Sequence, residues 1–393
     1  METPADYRID VLERFDSVDA DAWDRLLACQ DAPTPFMQHA YLQALQASGS
    51  ATAETGWLLR LITVWQDTQL IAACPLYVKS HSYGEYVFDW AWARAYDQHG
   101  LAYFPKAVVA VPFTPVPGTR LLARDGHARQ VLLQAAVDFC RDHRLSSLHV
   151  LFSSSADREA CADLGLMDRQ TVQFHWHNQW QNQPFADFDA FLASLSQEKR
   201  KKIRQERRRV QDAGVRFEVR QGSAITSADW DFFYRCYAQT YAEHGNPPYL
   251  RRAFFEALQT HQADHWVLFI AHRAGRAIAC SLIAVQGLGT KHAVAYGRYW
   301  GALERVDCLH FEACYYQPLA WCIQHGVQRF EGGAQGEHKM ARALLPTPTH
   351  SAHWLAHPQF ARAVADFLER ERDGVEGYLD HLAERSPFKH TDP

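Results

Sequence analysis

The chain has 393 residues, of which 47% are hydrophobic and 22% are charged, and its formal net charge is −5. Its length suits two folded domains, and its apolar content excludes a disordered chain. The modest charge excludes an overall nucleic-acid-binding or membrane-surface character, so any site for an anionic partner has to be local. No apolar run is long enough for a spanning helix, and the acidic N-terminal residues do not resemble a secretory signal. We therefore expect a cytoplasmic protein without DNA binding or integral membrane association.

The cysteines and a pair of histidines do not follow a disulfide or metal-binding pattern. The nine cysteines are scattered without CxxC spacing, and several, such as Cys140 and Cys322, fall on apolar faces. We expect them to be reduced core residues. His175 and His177 face the same way on a predicted strand, but no third ligand is evident, so we expect no metal site.

The order of the predicted elements occurs twice along the chain. In each half, apolar runs separated by short turns predict a three-stranded antiparallel meander, followed by a helix and a strand. In the first half these segments are 56–65, 70–80, 83–92 and 127–152. In the second half they are 266–273, 277–285, 291–300, 309–326 and 327–333. Pro318 predicts an interruption of the last helix near Tyr316.

Short matches between the two halves indicate an internal duplication. Cys74 in IAACPL corresponds to Cys280 in AIACSL, and FHW at 174–176 corresponds to AHW at 352–354. The first copy contains about 24 extra residues, which we place in the Pro/Gly-rich segment 97–126.

An Asn/Gln-rich segment with a proline, residues 177–187, predicts the linker between the copies. The expected domains are therefore residues 1–183 and residues 184–393. The fold class expected from this order of elements is α/β (α+β), and each domain is expected to contain a twisted, mixed, mainly antiparallel sheet flanked by helices.

Several segments of the second half are shared with a known family. One is the basic run KRKKIRQERRRV before a Gly-Val strand, and another is the block YYQPLAWCIQHGVQRFEGG followed by a lysine. These resemble the Fem-type peptidoglycan aminoacyltransferases. The segments HGNPPYL, GRYWG, LHFEACYYQ, FEGGAQGEHK and SAHW are more closely similar to a FemAB-like bacterial family of the GNAT acyltransferase superfamily.

The resemblance implies tandem GNAT-like domains and the transfer of an acyl or aminoacyl group to an amine. In Fem enzymes the donor is aminoacyl-tRNA and the acceptor is a peptidoglycan precursor, whereas other GNAT enzymes use acyl-CoA. Either donor is a co-substrate, so no tightly bound cofactor is expected; the expected partners are a small-molecule amine and tRNA. This chain lacks an evident long coiled-coil arm, which Fem enzymes often carry, so the choice of donor stays open.

Acyl transfer to an amine requires a base, a positive group near the carbonyl oxygen and a site for the donor phosphates. The resemblance matches Glu331–Gly333 to the Fem motif that ends a strand, and Lys339 to the lysine that follows it. The candidate catalytic residues are Glu331 as the base or an orienting group, Lys339 as the electrostatic stabiliser and His310 at the start of a helix. The alternative for Glu331 is a solvated carboxylate in a turn.

Other polar residues of the second half are candidates for substrate binding. Arg298 in YGRYW either clamps an anionic group or stacks on the ring of Tyr296 or Trp300. His244 and Asn246 lie on a rigid turn that either borders a pocket or only ends a helix. Glu312 either binds a ligand or caps its helix. The complete set is Arg298, His244, Asn246, Glu312, Tyr315, Gly332, Gly333, Gln335, Glu337 and His338.

The run EKRKKIRQERRRV, residues 198–210, contains eight basic and two acidic residues on a predicted helix. This run either binds phosphates or is a solvated helix face. If it binds the phosphates of the donor, the candidate residues are Lys199, Arg200, Lys202 and Arg204.

These observations favour an acyltransferase or aminoacyltransferase whose active site lies in the second domain, with a peptidoglycan-precursor-like or amino-acid-like amine as acceptor. The first copy reads SSLHVLFSSS where the second reads VQRFEGGAQGEHK, so we expect the N-terminal domain to be non-catalytic. The alternative is a non-catalytic GNAT-like module that binds such a ligand.

Overall fold

The computed structural model describes residues 7–334 and 336–389. The chain forms two compact units, and each unit combines separate segments of the sequence. The first unit contains the residues up to Thr171 together with Pro348–Gly377, and the second contains Val172–Thr347 together with the residues from Tyr378 onward. This division differs from the predicted boundary near residue 183.

Strands and helices alternate along the described residues. The strands are β1 (Tyr7–Leu12), β2 (Leu58–Gln66), β3 (Gln69–Lys79), β4 (Lys106–Val109), β5 (Leu122–Ala123), β6 (Ser147–Val150), β7 (Met167–His177), β8 (Val215–Gln221), β9 (Trp266–Arg273), β10 (Arg276–Gln286), β11 (Val294–Ala302), β12 (Arg329–Ala334) and β13 (Leu345–Leu355). The helices are α1 (Ala20–Ala28), α2 (His39–Ala47), α3 (Trp90–Gln98), α4 (Gly126–Asp142), α5 (Ser155–Asp163), α6 (Phe188–Ser194), α7 (Gln197–Asp212), α8 (Ser227–Glu243), α9 (Arg252–His261), α10 (Leu309–Phe311), α11 (Gln317–Gln324) and α12 (Pro358–Glu384).

The first unit contains a mixed sheet with the strand order β1-β2-β3-β4-β6-β13, and β5 pairs with β3. Neighbouring strands are antiparallel except for β4 and β6, which are parallel. The core of this unit is formed by apolar side chains of β2, β3, β4 and β6 packed against α4 and α5. Asp125 caps the start of α4 by accepting a hydrogen bond from the backbone of Ala128.

The second unit contains a sheet with the order β8-β9-β10-β11-β12-β7. Its neighbouring strands are also antiparallel except for one parallel pair, β11 and β12. The two sheets therefore repeat the same sequence of pairings, as the internal duplication requires. Cys74 on β3 and Cys280 on β10 lie on the third strand of their respective sheets, counted from β1 and from β8, as the sequence matches predict.

Each sheet is completed by a strand that comes from the other half of the sequence. Residues 173–177 of β7 pair with β12 of the second unit. Residues 352–355 of β13 pair with β6 of the first unit. The FHW and AHW matches fall on these two strands. Strand pairing, and not position along the sequence, decides which unit a strand joins. The division into units therefore does not follow a single boundary at the linker.

The predicted third strand of the first meander is wrong. Residues 83–92 form a loop and the start of α3, and the third strand is β4. The loop is held by long-range contacts, because the buried ammonium of Lys106 bonds to Ser82 (2.8 Å) and to the carboxylates of Glu85 (2.8 Å) and Asp89. The extra residues of the first copy therefore include this loop and α3.

The helix after β11 is interrupted close to where Pro318 predicts a break. Residues Glu312–Tyr316 form a π-helical turn between α10 and α11, and α11 then begins at Gln317 with Pro318 in its first turn. Proline is well tolerated at this position because the first backbone N–H groups of a helix have no partner within it.

Gly301 on β11 allows α8 to approach the sheet closely. A Cβ atom at this position would lie 2.0 Å from the carbonyl oxygen of Cys236 on α8. Because that oxygen belongs to the backbone, an added methyl group could be accommodated only by moving the helix away from the sheet.

We predict that Gly301→Ala lowers the free energy of unfolding by about 3 kcal/mol or more, because it overpacks a helix–sheet contact. The matched control is Gly374→Ala in α12, where an added Cβ meets nothing within 4 Å. This control should stabilise the protein by up to about 1 kcal/mol through helix propensity. Urea unfolding followed by circular dichroism measures both, and equal effects of the two substitutions would contradict the packing argument.

Candidate active site

The two parallel strands of the second unit separate soon after they meet. β11 and β12 pair only from Val294–Arg329 to Tyr296–Glu331. Beyond this point lies a cavity of about 170 Å³, which we call the β11–β12 cavity. It is lined by Ser281, Leu282, Ile283, Gly297, Arg298, Tyr299, Trp300, His310, Cys314, Tyr315, Phe330, Gly332 and Lys339.

A β-bulge in β11 shapes one wall of this cavity. Tyr299 lies opposite Leu282 of β10, whereas Gly297 lies opposite the next residue, Ile283. Arg298 is therefore the extra residue of the bulge. A bulge bends its strand and changes the direction of its side chains, and here it occurs where β11 leaves β12.

Lys339 places a cation at the end of β12. It lies on a 3-10 turn, Glu337–Arg342, and its Nζ atom donates hydrogen bonds to the carbonyl oxygens of Gly332 (2.6 Å) and Gly333 (3.2 Å). The side chain is largely buried, and this burial lowers the pKa of Lys339 to about 8. At neutral pH most of the molecules therefore carry the positive charge.

The two glycines before this turn serve different purposes. A Cβ atom on Gly332 would lie 2.3 Å from Leu344 Cδ2 and 2.9 Å from the carbonyl oxygen of Phe174. Gly333 has a φ of +74°, a conformation that favours glycine. Together they allow the chain to turn away from β12 and return Lys339 to the strand end.

His310 brings a neutral imidazole to the same cavity. Its ring packs edge-on against Trp300 (5.5 Å between centroids) and Tyr315 (5.8 Å). Burial, together with the nearby charges of His338, Arg342 and Lys339, lowers the pKa of His310 to about 4. At pH 7 one of its ring nitrogens is therefore an acceptor of a proton or hydrogen bond.

Arg298 and Tyr315 complete the polar lining. The guanidinium of Arg298 lies 5.0 Å from the ring of Tyr299 and donates to its hydroxyl at 3.3 Å, so it both stacks on a ring and faces the cavity. The hydroxyl of Tyr315 lies 3.3 Å from Nε2 of His338. This pair connects the β11–β12 cavity to the turn that carries Lys339.

Glu331, the candidate base, does not line this cavity. Side chains alternate along a strand, and Glu331 lies between two lining residues, Phe330 and Gly332. Its carboxylate instead pairs with Arg329 (2.8 Å) and approaches His175 (3.9 Å). Burial raises the pKa of Glu331 to about 7 despite the opposing charge of Arg329.

Glu312 belongs to a second cavity. Its buried carboxylate accepts hydrogen bonds from Arg207 (3.2 Å) and Gln317 (2.7 Å). It lines a cavity of about 670 Å³, here called the arginine-lined cavity, together with Asp189, Leu192, Arg204, Arg207, Arg208, Val210, Gln211, Val215, Phe217 and Gln317. Glu312 therefore faces away from Lys339 and His310.

Glu337 and His338 line a third cavity, of about 640 Å³. We call it the lysine-lined cavity because Lys199 and Lys202 of α7 form part of its wall. Glu337 accepts hydrogen bonds from Tyr378 (3.1 Å) and Arg385 (3.1 Å).

The basic helix α7 distributes its cations between two cavities. Lys199 and Lys202 line the lysine-lined cavity, whereas Arg204 lines the arginine-lined cavity. Arg200 is half-buried and is among the lining residues of neither. The four predicted phosphate ligands therefore do not form one site.

Two other predicted residues, His244 and Asn246, are not among the lining residues of these three cavities. His244 ends α8, where its Nδ1 atom lies 2.7 Å from the carbonyl oxygen of Thr240, and Asn246 donates to the carbonyl of His244 (3.0 Å). Both are exposed, as expected for residues that end a helix. Gln335 lies outside the residues that the structure describes.

A buried ion pair that the sequence analysis missed supports the Lys339 turn. Arg342 is 1% exposed and pairs with the carboxylate of Glu206 on α7 at 2.8 and 2.9 Å. It also donates to the hydroxyl of Tyr316 (3.2 Å) and to the carbonyl of His338 (2.7 Å). The available signal was the position of Glu206 within the basic run, on the same helix face as Ile203 and Val210.

A family model described as FemAB-like, peptidoglycan biosynthesis/recognition, matches residues 14–390. The chain belongs to this family. Its fold is similar to that of FemX, with 11% sequence identity and a TM-score of 0.53 over 88% of this chain and 98% of FemX. It is also similar to L-PGS from Bacillus licheniformis, with 10% identity and a TM-score of 0.53 over 89% of this chain and 97% of that one. No curated protein matches the chain.

These findings confirm the predicted family. The predicted mixed α/β fold is confirmed by the sheet topology and by the likeness to FemX. Among the described residues, no group of three His, Cys, Asp or Glu side chains is placed to hold a metal ion. None of the helices in the described ranges is both long enough and apolar enough to cross a bilayer.

We predict that Arg342→Leu lowers the free energy of unfolding by about 3–5 kcal/mol, because it leaves the carboxylate of Glu206 buried without its partner. The matched control is Arg385→Leu, which removes an exposed ion pair with Glu337 and should cost less than about 1 kcal/mol. Urea denaturation measures both values. Similar losses in the free energy of unfolding for the two variants would show that the buried ion pair stabilises the protein no more than the exposed one.

Proposed function

We propose that the protein is an N-acyltransferase that moves an acyl or aminoacyl group from an activated ester or thioester to an amine in the β11–β12 cavity. The observation that carries the proposal is the ammonium of Lys339, which is held by two backbone carbonyls at the edge of this cavity. A fixed cation in a poorly solvated site stabilises negative charge far better than one in water.

In the proposed reaction, the acceptor nitrogen attacks the carbonyl carbon of the donor and forms the new C–N bond. The carbonyl π electrons move to its oxygen, and Lys339 stabilises the negative charge that develops there. The intermediate then collapses, and the bond to the sulfur of CoA or to the ester oxygen of tRNA breaks. The leaving group takes up the proton that the nitrogen loses.

His310 is the proposed carrier of that proton. Its imidazole is neutral at pH 7 and lines the same cavity as Lys339. It can therefore accept a proton from the attacking nitrogen and return it to the leaving group. Glu331 has no direct part in this scheme, because its carboxylate pairs with Arg329 on the other face of β12.

Four other predicted site residues have binding roles in this proposal. Arg298 and Tyr315 orient the substrates within the β11–β12 cavity. Lys199 and Lys202 bind the phosphates of the donor in the lysine-lined cavity. His338 also lines this cavity and contacts Tyr315 of the β11–β12 cavity. Acyl-CoA and aminoacyl-tRNA both carry phosphates, so this assignment suits either donor. The family description favours an amine of a peptidoglycan precursor as the acceptor.

The first unit is proposed to be non-catalytic because its equivalent gap is filled. After the parallel pair β4–β6, the backbone N–H of Gly118 bonds to the carbonyl of Phe152 (3.0 Å). The side chain of Arg120 is 1% exposed and donates to the carbonyls of Leu151 (3.0 Å) and Gly118 (3.2 Å). Protein groups therefore occupy the place where the second unit has a cavity.

Incubation of the protein with acyl-CoA thioesters or aminoacyl-tRNAs and with amine-bearing peptidoglycan-precursor peptides tests the proposal. Mass spectrometry of the acceptor should detect the added acyl or aminoacyl mass with at least one donor. Saturable binding of donors and acceptors without any transfer would instead establish the non-catalytic binding module.

We predict that Lys339→Met lowers kcat by roughly 10²–10³-fold, because it removes the charge that stabilises the oxyanion. Lys291→Met is the matched control, since Lys291 lies on an exposed turn between β10 and β11. This control should keep the activity of the unmodified protein. Circular dichroism confirms that each variant is folded, and a folded Lys339→Met protein with full activity would exclude the assigned role.

The pH profile gives a separate prediction for Lys339. Its pKa of about 8 means that the positive charge is present at lower pH and is lost as the pH rises through 8. We therefore expect kcat/KM to fall on the alkaline side with an apparent pKa near 8. Lys339→Arg should remove this alkaline fall, since the guanidinium stays charged. An unchanged alkaline limb in the folded Lys339→Arg protein would assign that limb to another group.

A further inference from the structure

Helix α7 places three arginines on one face, and all three line the arginine-lined cavity. Arg204, Arg207 and Arg208 follow the i, i+3, i+4 spacing that brings side chains together on a helix surface. Gln211 continues the same face one turn later. The cavity of about 670 Å³ has the size of a small-molecule site.

Arg207 is held in place before any ligand binds. Its Nε atom donates to both carboxylate oxygens of Glu312, at 3.2 and 3.3 Å, and its guanidinium carbon lies 4.5 Å from the centroid of the Phe188 ring. In the described part of the chain these hydrogen bonds use only Nε. The two terminal nitrogens of Arg207 are thus left for a ligand, and little side-chain entropy is lost on binding.

The charges that face this cavity have a positive excess. Arg204 makes no ion pair with the described residues, and Arg208 approaches Asp212 only at 3.9 Å with both side chains largely exposed. Two carboxylates also face the cavity: Glu312, which is neutralised by Arg207, and Asp189. Planar guanidinium groups arranged in this way bind the oxygens of a phosphate group in pairs.

Apart from Gln211 and Gln317, the rest of the wall is apolar. Leu192, Val210, Val215 and Phe217 form it, and each belongs to α6, α7 or β8. A small inorganic anion would leave this surface in contact with water, whereas a ligand that joins an apolar group to the anion would cover it. The wall therefore favours a substituted phosphate over the free ion.

We infer that the arginine-lined cavity binds a phosphate monoester whose organic group is apolar or aromatic. Arg204, Arg207 and Arg208 bind the phosphate oxygens, and the apolar wall covers the organic group. This site is separate from the β11–β12 cavity and does not depend on the proposed acyl transfer.

Phenyl phosphate and inorganic phosphate are suitable probes, because they differ by one aromatic ring. Each is titrated into the full chain at constant pH and ionic strength, and binding is followed by isothermal titration calorimetry or by 31P NMR. We expect phenyl phosphate to bind with saturation and at least ten-fold more tightly than inorganic phosphate. Equal affinities, or no saturable binding of phenyl phosphate, would overturn the inference.

Paired substitutions locate the site on α7. The double variant Arg204→Gln/Arg208→Gln should weaken the binding of phenyl phosphate at least ten-fold. The matched control Lys201→Gln/Arg209→Gln removes two exposed charges of the same helix that line neither cavity, and it should change the affinity less than three-fold. Equal weakening by both variants would mean that only the net charge of α7 attracts the probe.

A third variant separates this site from the proposed donor site. Lys199→Gln/Lys202→Gln alters the lysine-lined cavity and should leave the binding of phenyl phosphate unchanged. Loss of binding in this variant, with retention in Arg204→Gln/Arg208→Gln, would place the probe in the lysine-lined cavity and refute the inference.

Discussion

The buried ion pair between Arg342 and Glu206 fixes the parts of the second unit on which the candidate site depends. Removing two charges from water costs several kcal/mol, so such a pair persists only where further hydrogen bonds satisfy it. Tyr316 and the carbonyl of His338 supply them here. The pair thereby joins α7, the π-helical turn and the turn that carries Lys339 into one rigid arrangement.

The two sheets share one pattern of strand pairing but differ in the space beyond their parallel pair of strands. In both sheets a parallel pair follows an antiparallel meander. In the first unit the chain that follows β4 pairs with the residues after β6, and the side chain of Arg120 is buried there. In the second unit the bulge at Arg298 and the early separation of β11 from β12 leave the space open. Local chain geometry, more than topology, decides whether a cavity forms.

The sequence predicts those features that depend on local patterns. The meander of the second half, the correspondence of Cys74 with Cys280 and the interruption near Pro318 follow from periodicity and from the chemistry of proline. The loop before α3 was not predictable in this way, because it is held by the distant Lys106. In the absence of Lys106, an apolar segment rich in aromatic residues, such as 83–92, is typical of a strand.

The candidate site was predictable only in part, because local sequence patterns identify residues but not the faces on which they lie. Lys339 was predicted from the resemblance to the Fem motif and His310 from its position at the start of a helix, and the structure brings them to one cavity. Strand alternation separates Glu331 from them, and only the fold shows which face of β12 borders the cavity. The π-helical turn likewise decides the direction in which a side chain points, here on the helix that follows β11. Its wider turn contains one residue more than an α-helical turn, so closing it by deleting one residue would rotate His310 by about 100° about the helix axis. The angular position of the imidazole is therefore determined by the residue count of Glu312–Tyr316.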